Sequence, residues 1–330
     1  MKFWIVTPSY NQVEWLKLCI ASVRDQVGSQ SERQSAVSSQ QSATLSSGNG
    51  SSIQVHHHVQ DACSTDGTAE WLERYAKELR SSGAGQQALG DGTNAECPVP
   101  NAYSFSFSSE KDEGMYDAIN RGWKLASDDV DIIAHLNCDE QYLPGALQTM
   151  ADFFKAHQNA DVVLADMIVV DNDGAYICHR RSLKPSTFTS RFCCGGFTAT
   201  TFQRVAVTRQ EGVFFDTSWR NFGDKVWYNA LHKAGVRFEV CNKMVSIFTD
   251  TGENLNWTEE GYRERAQYNQ TYLKGMGWAL SLAIRLNGAR RLLKEFRMTP
   301  PAEYTLYKKG TGERVLFPIK NPRGLWHKKW

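Results

Sequence analysis

Short apolar runs along the chain alternate with segments in which apolar residues recur every three or four positions. Runs typical of buried strands lie at residues 3–6, 53–60, 130–136 and 161–170. Helical spacing begins near Glu14, after a capping Ser64 or Thr65, and at Pro144, and a short helix is predicted over 115–126. This alternation predicts an α/β protein with a mostly parallel sheet that is flanked by helices.

Two stretches interrupt this alternation. Residues 28–52 are rich in Ser, Gln and Gly and contain almost nothing that a core could bury, so we predict a low-complexity insertion there. Residues 81–102 are predicted to form a Gly-rich loop. Together with a basic helical segment near the end of the sequence, the pattern predicts an α/β domain over 1–250 and a helical, basic extension over 251–330.

Charge and cysteine content narrow the class of protein. Lys and Arg total 37 against 36 for Asp and Glu, so the bulk charge indicates no nucleic-acid partner. The eight cysteines include no C-x-x-C pair, which favours free thiols in a reducing compartment over a disulfide framework. No apolar run is long enough for a signal peptide or a transmembrane helix. We therefore expect a cytoplasmic protein.

Polar motifs follow the predicted strands. In a parallel α/β sheet, ligands bind beyond the carboxyl ends of the strands, and "TPSYNQ", "DACSTDGT" and "NCDE" all fall there. Asp139 and Glu140 of the last motif offer oxygen ligands that suit Mg²⁺ next to a diphosphate. A solvated acidic turn that caps the next helix is an equally open alternative.

Further acids cluster in two other segments. Helix capping accounts for Ser64, Thr65 and Asp66, but it leaves Asp61 unexplained, and this carboxylate could accept hydrogen bonds from a ribose or a base. In "SEKDEGMYDAINRGW", residues 109–123, four acids surround Gly114. A solvated charged helix face is the alternative to a binding segment here.

In order and spacing, "VTPSYNQ", "DACSTDGT", "SEKDEGMYDAINRGW" and "LNCDEQYLPGAL" resemble the family 2 glycosyltransferases, whose nucleotide-binding fold is called GT-A. The resemblance covers residues 3–155 and continues more loosely to about 250 through "FTATTFQR" and "NFGDKVWYNAL". It implies a GT-A fold and an inverting transfer from a nucleotide sugar.

The resemblance also assigns roles to particular residues. The positions implied to bind the nucleotide sugar are Pro8, Tyr10, Asn11, Asp61, Asp112, Asn120 and Asn137. Asp139 is implied as the principal metal ligand, with Glu140 where Asp is commoner and Asn137 in place of a first acid. Asp224 is implied as the general base that takes the proton of the acceptor hydroxyl. Without the resemblance, an N-cap role for Asp224 is the better interpretation.

The predicted function is thus an inverting glycosyltransferase of the hexosyltransferase type, assisted by Mn²⁺ or Mg²⁺. Its donor would be a UDP-, GDP- or dTDP-sugar, and its acceptor a glycan or lipid-linked hydroxyl in cell-wall or polysaccharide biosynthesis. Two alternatives stay open: a non-catalytic nucleotide- or glycan-binding module, and a sugar-1-phosphate nucleotidyltransferase. The second would need basic residues in a Gly-rich loop after the first strand, and "TPSYNQ" has none. No carboxylate pair at a defined distance indicates a glycoside hydrolase.

Three other features have less chemical meaning. Of His56, His57 and His58, only the outer two share a strand face, so a strand near the sheet edge is favoured over a metal site. The Cys193-Cys194 pair has no partner histidine for covalent catalysis. The basic helix at 278–297 is interpreted as packing on its own domain with its basic residues in water. The alternative is peripheral contact of residues 278–330 with the inner face of a membrane.

Overall fold

The computed structural model describes residues 1–27, 53–81, 102–186, 188–252 and 258–324. The predicted insertion at 28–52 lies outside the described residues, and so does the predicted loop at 81–102 apart from its two end residues.

The described part of the chain alternates strands and helices, as predicted. Its strands are β1 (Lys2–Ser9), β2 (Gln54–Asp61), β3 (Tyr103–Ser109), β4 (Ile132–His135), β5 (Glu140–Tyr142), β6 (Val162–Val170), β7 (Tyr176–Arg180), β8 (Thr201–Arg204), β9 (Phe238–Thr249), β10 (Glu303–Tyr307) and β11 (Arg314–Pro318). Its α-helices are α1 (Val13–Arg24), α2 (Thr68–Ser81), α3 (Met115–Lys124), α4 (Ala146–Ala156), α5 (Thr189–Phe192), α6 (Val205–Arg209), α7 (Gly223–Lys233), α8 (Glu259–Tyr268) and α9 (Gly277–Arg297).

The main sheet has the strand order β3-β2-β1-β4-β8-β6-β9-β5, with β7 paired to β6. The strands that carry the predicted motifs, β3, β2, β1 and β4, are parallel neighbours. Strand β8 enters antiparallel between β4 and β6, while β6 and β9 are again parallel. The predicted α/β class, with a mostly parallel sheet flanked by helices, is confirmed.

Both faces of β1 are buried, which explains its continuous apolar run. Phe3 and Ile5 point to the face covered by α1 and α4, whereas Trp4 and Val6 point to the face covered by α3 and α7. On that second face Gly122 lies against Val6, so closely that a Cβ there would lie 2.5 Å from a Val6 methyl. Helix α3 can therefore approach the sheet closely.

Several predicted boundaries shift. The helix predicted over 115–126 ends at Lys124, and the helix predicted from Pro144 begins at Ala146, because Gly145 has a left-handed φ of 71°. No prediction covers β3, although "YSFSFSS" alternates aromatic residues with serines as a half-buried strand does.

The histidine run lies in β2, between β1 and the edge strand β3, so the predicted strand near the sheet edge is confirmed. His56 stacks on Trp4 with ring centroids 4.0 Å apart, and His57 hydrogen-bonds the Thr7 hydroxyl at 2.9 Å. Burial lowers the pKa of His56 to about 4 and that of His57 to about 3. These rings are therefore neutral packing elements near pH 7.

The extension predicted over 251–330 contains a hairpin as well as helices. Strands β10 and β11 pair, and Tyr304 and Leu306 of β10 pack with Ile168 and Ile247 of the main sheet. Arg314 of β11 donates to both carboxylate oxygens of Asp25. Among the described residues, no helix combines the length and the apolarity that a membrane span requires.

Candidate active site

The carboxyl ends of β1, β2 and β3 form one row at an edge of the sheet. The register pairs Ser9 with Asp61 and Asp61 with Ser109, so the motifs after these strands start side by side. The "NCDE" motif follows β4, the other neighbour of β1. The predicted gathering of the motifs at strand ends is thus present.

The loops after β1 and β2 are joined to each other. The Asn11 side-chain oxygen accepts the Thr65 N–H at 2.8 Å, and the Asn11 N–H donates to the Ser64 hydroxyl at 2.8 Å. Asn11 has a φ of 51°, a conformation that Asn tolerates better than most residues. The ring of Tyr10 beside it is 64% exposed and free to stack on a planar ligand.

Asp61 is fully buried at the end of β2. Its carboxylate accepts the N–H and the hydroxyl of Ser64 and, at 2.7 Å, the hydroxyl of Ser109. Asp61 therefore ties β3 to the loop after β2 in the ligand-free protein. Its predicted contact with a nucleoside stays a prediction.

The loop after β4 is hydrogen-bonded to the end of β1. The Cys138 thiol donates to the Pro8 carbonyl oxygen at 3.2 Å, and the buried Glu140 carboxylate accepts the Asn137 N–H at 2.8 Å. Burial raises the pKa of Asp139 to about 6. Burial, and then the charge of Asp139, raise the pKa of Glu140 to about 8. Among the described residues, no positively charged group opposes either shift.

A divalent metal ion fits this corner. The side-chain oxygen of Asn137 is buried without a hydrogen-bond partner among the described residues, and it adds a neutral oxygen to the two carboxylates. The described residues contain no group of three or more His, Cys, Asp or Glu that could enclose a metal alone. Mg²⁺ and Mn²⁺ suit such an incomplete set of hard oxygen ligands, since water and substrate phosphates complete the coordination.

The segment that holds four acids around Gly114, residues 109–123, is called the acidic motif below, and it forms the turn into α3. Asp112 accepts the Gly114 N–H at 2.9 Å, and Gly114 has a φ of 117°, a conformation that favours glycine. Burial, and then the charges of Asp117 and Asp61, raise the pKa of Asp112, while the Gly114 N–H opposes the shift. Asp112 therefore lies near the end of β2, as its predicted role requires.

Asn120 is placed differently. Its side chain is buried and makes two hydrogen bonds with the Phe215 backbone, accepting the N–H at 3.0 Å and donating to the carbonyl at 2.8 Å. These bonds use both ends of the amide to hold the chain before α7. The structure thus does not bring Asn120 among the other candidate residues as a free donor or acceptor.

Asp224 lies in the first turn of α7. Its N–H donates to the Tyr116 hydroxyl at 3.1 Å, and its carboxylate accepts the Lys225 N–H at 2.6 Å. Burial raises the pKa of Asp224, although the N–H and charge of Lys225 and the charge of Arg265 act against it. A carboxylate with a raised pKa is better matched to proton abstraction than an exposed one.

Glycine precedes Asp224 for a packing reason. A Cβ on Gly223 would lie 2.5 Å from the ring of Tyr116, so a larger residue would push the ring or the helix away. Tyr116 in turn stacks on Phe215, with ring centroids 4.9 Å apart. The acidic motif therefore positions the start of α7.

The loop before α7 is held by a residue that sequence reasoning missed. Glu264 of α8 is 8% exposed, and its two oxygens accept the N–H groups of Arg220, Asn221 and Phe222 at 2.7, 2.9 and 2.8 Å. In the sequence Glu264 is one more acid on a charged helix, and no local pattern marks it.

A cleft of 240 Å³ lies between the acidic motif and this loop. Residues 113–117 line one side, and Thr217 with residues 219–221 lines the other. Tyr116, which holds Asp224, is part of the wall. A wider cavity of 360 Å³ beside α9 touches none of the predicted motifs.

Residues 105–245 match the family model described as glycosyl transferase family 2. No curated protein sequence matches the chain. This match confirms the resemblance to family 2 glycosyltransferases that the motifs carry.

Solved structures share the fold. Staphylococcus aureus TarS 1–349 in complex with UDP-GlcNAc is similar over 78% of this chain and 61% of that chain, with 18% identity and a TM-score of 0.52. The mannosyltransferase PcManGT from Pyrobaculum calidifontis, in complex with GDP-Man and Mn²⁺, is similar over 91% of this chain and 76% of that chain, with 13% identity and a TM-score of 0.52. The fold is therefore GT-A. This chain spans 61% of the length of the TarS chain.

Proposed function

We propose that the protein is an inverting glycosyltransferase that moves a sugar from a nucleoside-diphosphate sugar to an acceptor hydroxyl. Asp224 acts as the general base, and Asp139 would hold a divalent metal ion beside the departing diphosphate. The donor occupies the edge of the sheet formed by the ends of β1, β2 and β4, and the reacting sugar lies toward the cleft below Tyr116.

The observation that carries the proposal is a continuous set of hydrogen bonds between motifs that are far apart in sequence. It supports one composite site rather than separate capped helices. The bonds join Cys138 to Pro8, Asn11 to Ser64 and Thr65, Asp61 to Ser109, and Tyr116 to Asp224.

The transfer follows from the chemistry of these groups. The Asp224 carboxylate takes the proton of the acceptor hydroxyl while that oxygen forms a bond to the anomeric carbon. The bond from that carbon to the diphosphate oxygen breaks, and the nucleoside diphosphate leaves with the electron pair. Asp139 and Asn137 would hold a divalent metal ion, which when bound would supply positive charge to stabilise this leaving group. A well-placed base contributes roughly 10²–10⁴-fold to such a step.

The remaining assignments rest on chemistry and on likeness. Exposed Tyr10 supports stacking on a base, while the buried side-chain oxygen of half-buried Asn137 supports a role near the metal. The similar structures hold UDP-GlcNAc in one case and GDP-Man with Mn²⁺ in the other, which supports a nucleotide-sugar donor. The hexosyl type, the glycan or lipid-linked acceptor and the cytoplasmic location stay predictions.

A thermal-shift panel of UDP-, GDP- and dTDP-sugars, with and without Mn²⁺ or Mg²⁺, tests donor binding. A ligand that binds the native state raises Tm. At about 100 times its Kd, such a ligand increases the free energy of unfolding by about 2.7 kcal/mol. We expect one nucleotide class to raise Tm, and more so with metal. Asp224→Asn should keep the shift, and Asp152→Asn, on the exposed face of α4, is the control. No shift with any nucleotide would contradict the proposal.

Product analysis separates the alternatives. A glycosyltransferase releases a nucleoside diphosphate, whereas a sugar-1-phosphate nucleotidyltransferase consumes a nucleoside triphosphate and releases pyrophosphate. A non-catalytic binding module would show the thermal shift but no nucleoside diphosphate with any acceptor mixture. Loss of product in Asp224→Asn, with its donor shift retained, is the result that supports Asp224 as the base.

A further inference from the structure

Helix α9 contacts the rest of the protein through Ala279 and Ala283, which pack in an apolar cluster with Tyr268, and through basic side chains. Lys294 donates to Asp166 at 3.2 Å and to the Ser182 carbonyl at 2.6 Å, and Arg290 donates to the Lys184 carbonyl at 2.6 Å. The interpretation that the basic residues of this helix lie in water is therefore wrong for these two side chains. The acceptors of Lys294, Asp166 and the Ser182 carbonyl, belong to buried residues.

The opposite side of α9 is apolar and exposed. The exposed fractions are 72% for Trp278, 44% for Leu282, 52% for Leu292, 55% for Leu293 and 82% for Phe296. Their spacings place them on one face of the helix. From Trp278 to Phe296 this apolar stripe is roughly 27 Å long at 1.5 Å per residue. An exposed apolar surface of this extent marks an interaction site rather than ordinary surface.

The charges within the apolar stripe are all positive. Arg285 follows Trp278 by two helical turns and is exposed on the same face, and Arg297 is exposed at the end of the helix. Glu295, the only acid between residues 277 and 297, is already bonded to His179 and Arg181. Arg285 makes no hydrogen bond or ion pair to any residue in the described part of the chain. The partner must therefore supply negative charge beside apolar material.

A second copy of the chain does not satisfy this condition. Antiparallel pairing of two α9 helices about their midpoint brings the two Arg285 side chains within about a turn of each other. Neither helix offers an acid on that face, so two guanidinium groups would be buried without a partner.

We propose that the apolar stripe of α9 docks in the plane of an anionic phospholipid surface. Trp278 and Phe296 enter the boundary between headgroups and acyl chains, and Arg285 and Arg297 extend to the lipid phosphates. Tryptophan favours this boundary because its ring is apolar while its N–H can remain hydrated. The inference does not depend on the proposed transfer reaction.

Co-sedimentation of the full chain with vesicles tests the inference. The vesicles are equimolar phosphatidylglycerol and phosphatidylcholine, with phosphatidylcholine alone for comparison. We expect binding to the anionic vesicles to be roughly tenfold stronger and to weaken as salt is added, because arginine–phosphate attraction is screened.

Matched variants locate the binding face. Trp278→Ser with Phe296→Ser, Leu292→Ser alone, and Arg285→Glu should each weaken binding to anionic vesicles, by roughly tenfold for the double variant. Leu125→Ser alters a leucine that is 53% exposed elsewhere, and Lys77→Glu makes the same charge change on α2; neither should reduce binding. An unchanged Tm without any ligand and an unchanged circular dichroism spectrum in every variant show that each is folded.

Three outcomes overturn the inference. The first is that the wild type does not bind anionic vesicles. The second is that the variants of the apolar stripe bind as strongly as the wild type. The third is that the two control variants lose as much vesicle binding as the stripe variants do. If the wild type instead self-associates in sedimentation velocity and the stripe variants are monomers, without vesicle binding, a second copy covers the face and the lipid proposal is wrong.

Discussion

The phenol oxygen of Tyr116 accepts the backbone N–H of Asp224 at 3.1 Å. This bond joins the acidic motif before α3 to the first turn of α7, more than a hundred residues later in the chain. Gly223 packs against the ring of the same tyrosine. The position of the proposed base therefore depends on two contacts with Tyr116, one to its hydroxyl and one to its ring.

Tyr116→Phe should lower kcat by roughly tenfold and leave the donor-induced Tm shift unchanged, because a small displacement of a reacting group costs rate more than binding. The phenylalanine ring keeps its packing on Phe215 and Gly223 but gives the Asp224 N–H no acceptor. Steady-state kinetics with the donor identified by thermal shift provide the measurement. A variant with wild-type kcat would show that the bond does not position Asp224.

Glu264→Gln should reduce kcat and stability together. The glutamine side chain is neutral and its amide nitrogen cannot accept a hydrogen bond, so at least one of the three N–H groups from 220–222 loses its acceptor, at a cost of about 1–3 kcal/mol. Urea unfolding and kcat measure the two effects. Glu260→Gln, on the same helix but exposed, is the matched control and should change neither. Equal behaviour of the two variants would mean that Glu264 does not hold the loop.

The pH dependence of turnover should report the Asp224 carboxylate. The base acts when deprotonated, so kcat/KM falls as the pH drops through its pKa, and burial places that pKa above the usual value of about 3.9. The profile is measured with saturating Mn²⁺ so that the metal corner stays occupied. The residual turnover of Asp224→Asn, lowered by roughly 10²–10⁴-fold, should lack this acidic limb, and a limb that persists in it would belong to another group.

Asp139 and Asn137, which form the proposed metal site, should contribute unequally to metal-dependent donor binding. Asp139→Ala should abolish the metal-dependent part of the donor Tm shift, because it removes the charged ligand. Asn137→Ala should only reduce that part, since the amide oxygen carries no charge. Thermal shift with and without Mn²⁺ distinguishes the two variants, and an identical effect would contradict this division.

Acid should destabilise the protein through its buried histidines. Their folded pKa values, about 4 for His56 and about 3 for His57 and His135, lie below the unfolded value of 6.5. The unfolded chain therefore binds more protons as the pH falls below 6.5, and the free energy of unfolding decreases by up to about 1.4 kcal/mol per pH unit for each ring.

Urea unfolding at a series of pH values checks this slope. His56→Gln should flatten it, because one titrating ring is removed, while the exposed His157 provides the control variant His157→Gln. A slope that is the same in both variants would contradict a shifted pKa for His56.

The sequence predicts much of the fold because its strands and helices carry local patterns, as in the apolar run of β1 and the spacing in α1. The predicted strand ends also place Asp61 and Asp139 at one edge of the sheet, whereas the acidic motif is not placed there because no prediction covers β3. The sequence cannot show that the Asn120 side-chain amide hydrogen-bonds the Phe215 backbone, because these bonds form only when the chain before α7 packs over α3.

Glu264 is missed for a related reason. Its partners are backbone N–H groups, which every residue but proline has, so nothing in the residue types of 220–222 points to a buried carboxylate. The outward apolar face of α9 is likewise ambiguous from spacing alone. Which side of the helix meets the domain is decided by Asp166 and the Ser182 carbonyl, both remote in sequence.

The hairpin of β10 and β11 has a consequence for how the protein is made. Tyr304 and Leu306 complete an apolar cluster with Ile168 and Ile247. Arg314 donates hydrogen bonds to Asp25, which follows the last residue of α1. A ribosome therefore has to synthesise residues 303–318 before the earlier strands can bury this surface. Until then the nascent chain carries an unfinished core, and this part of the fold is completed only after residue 318 has left the ribosome.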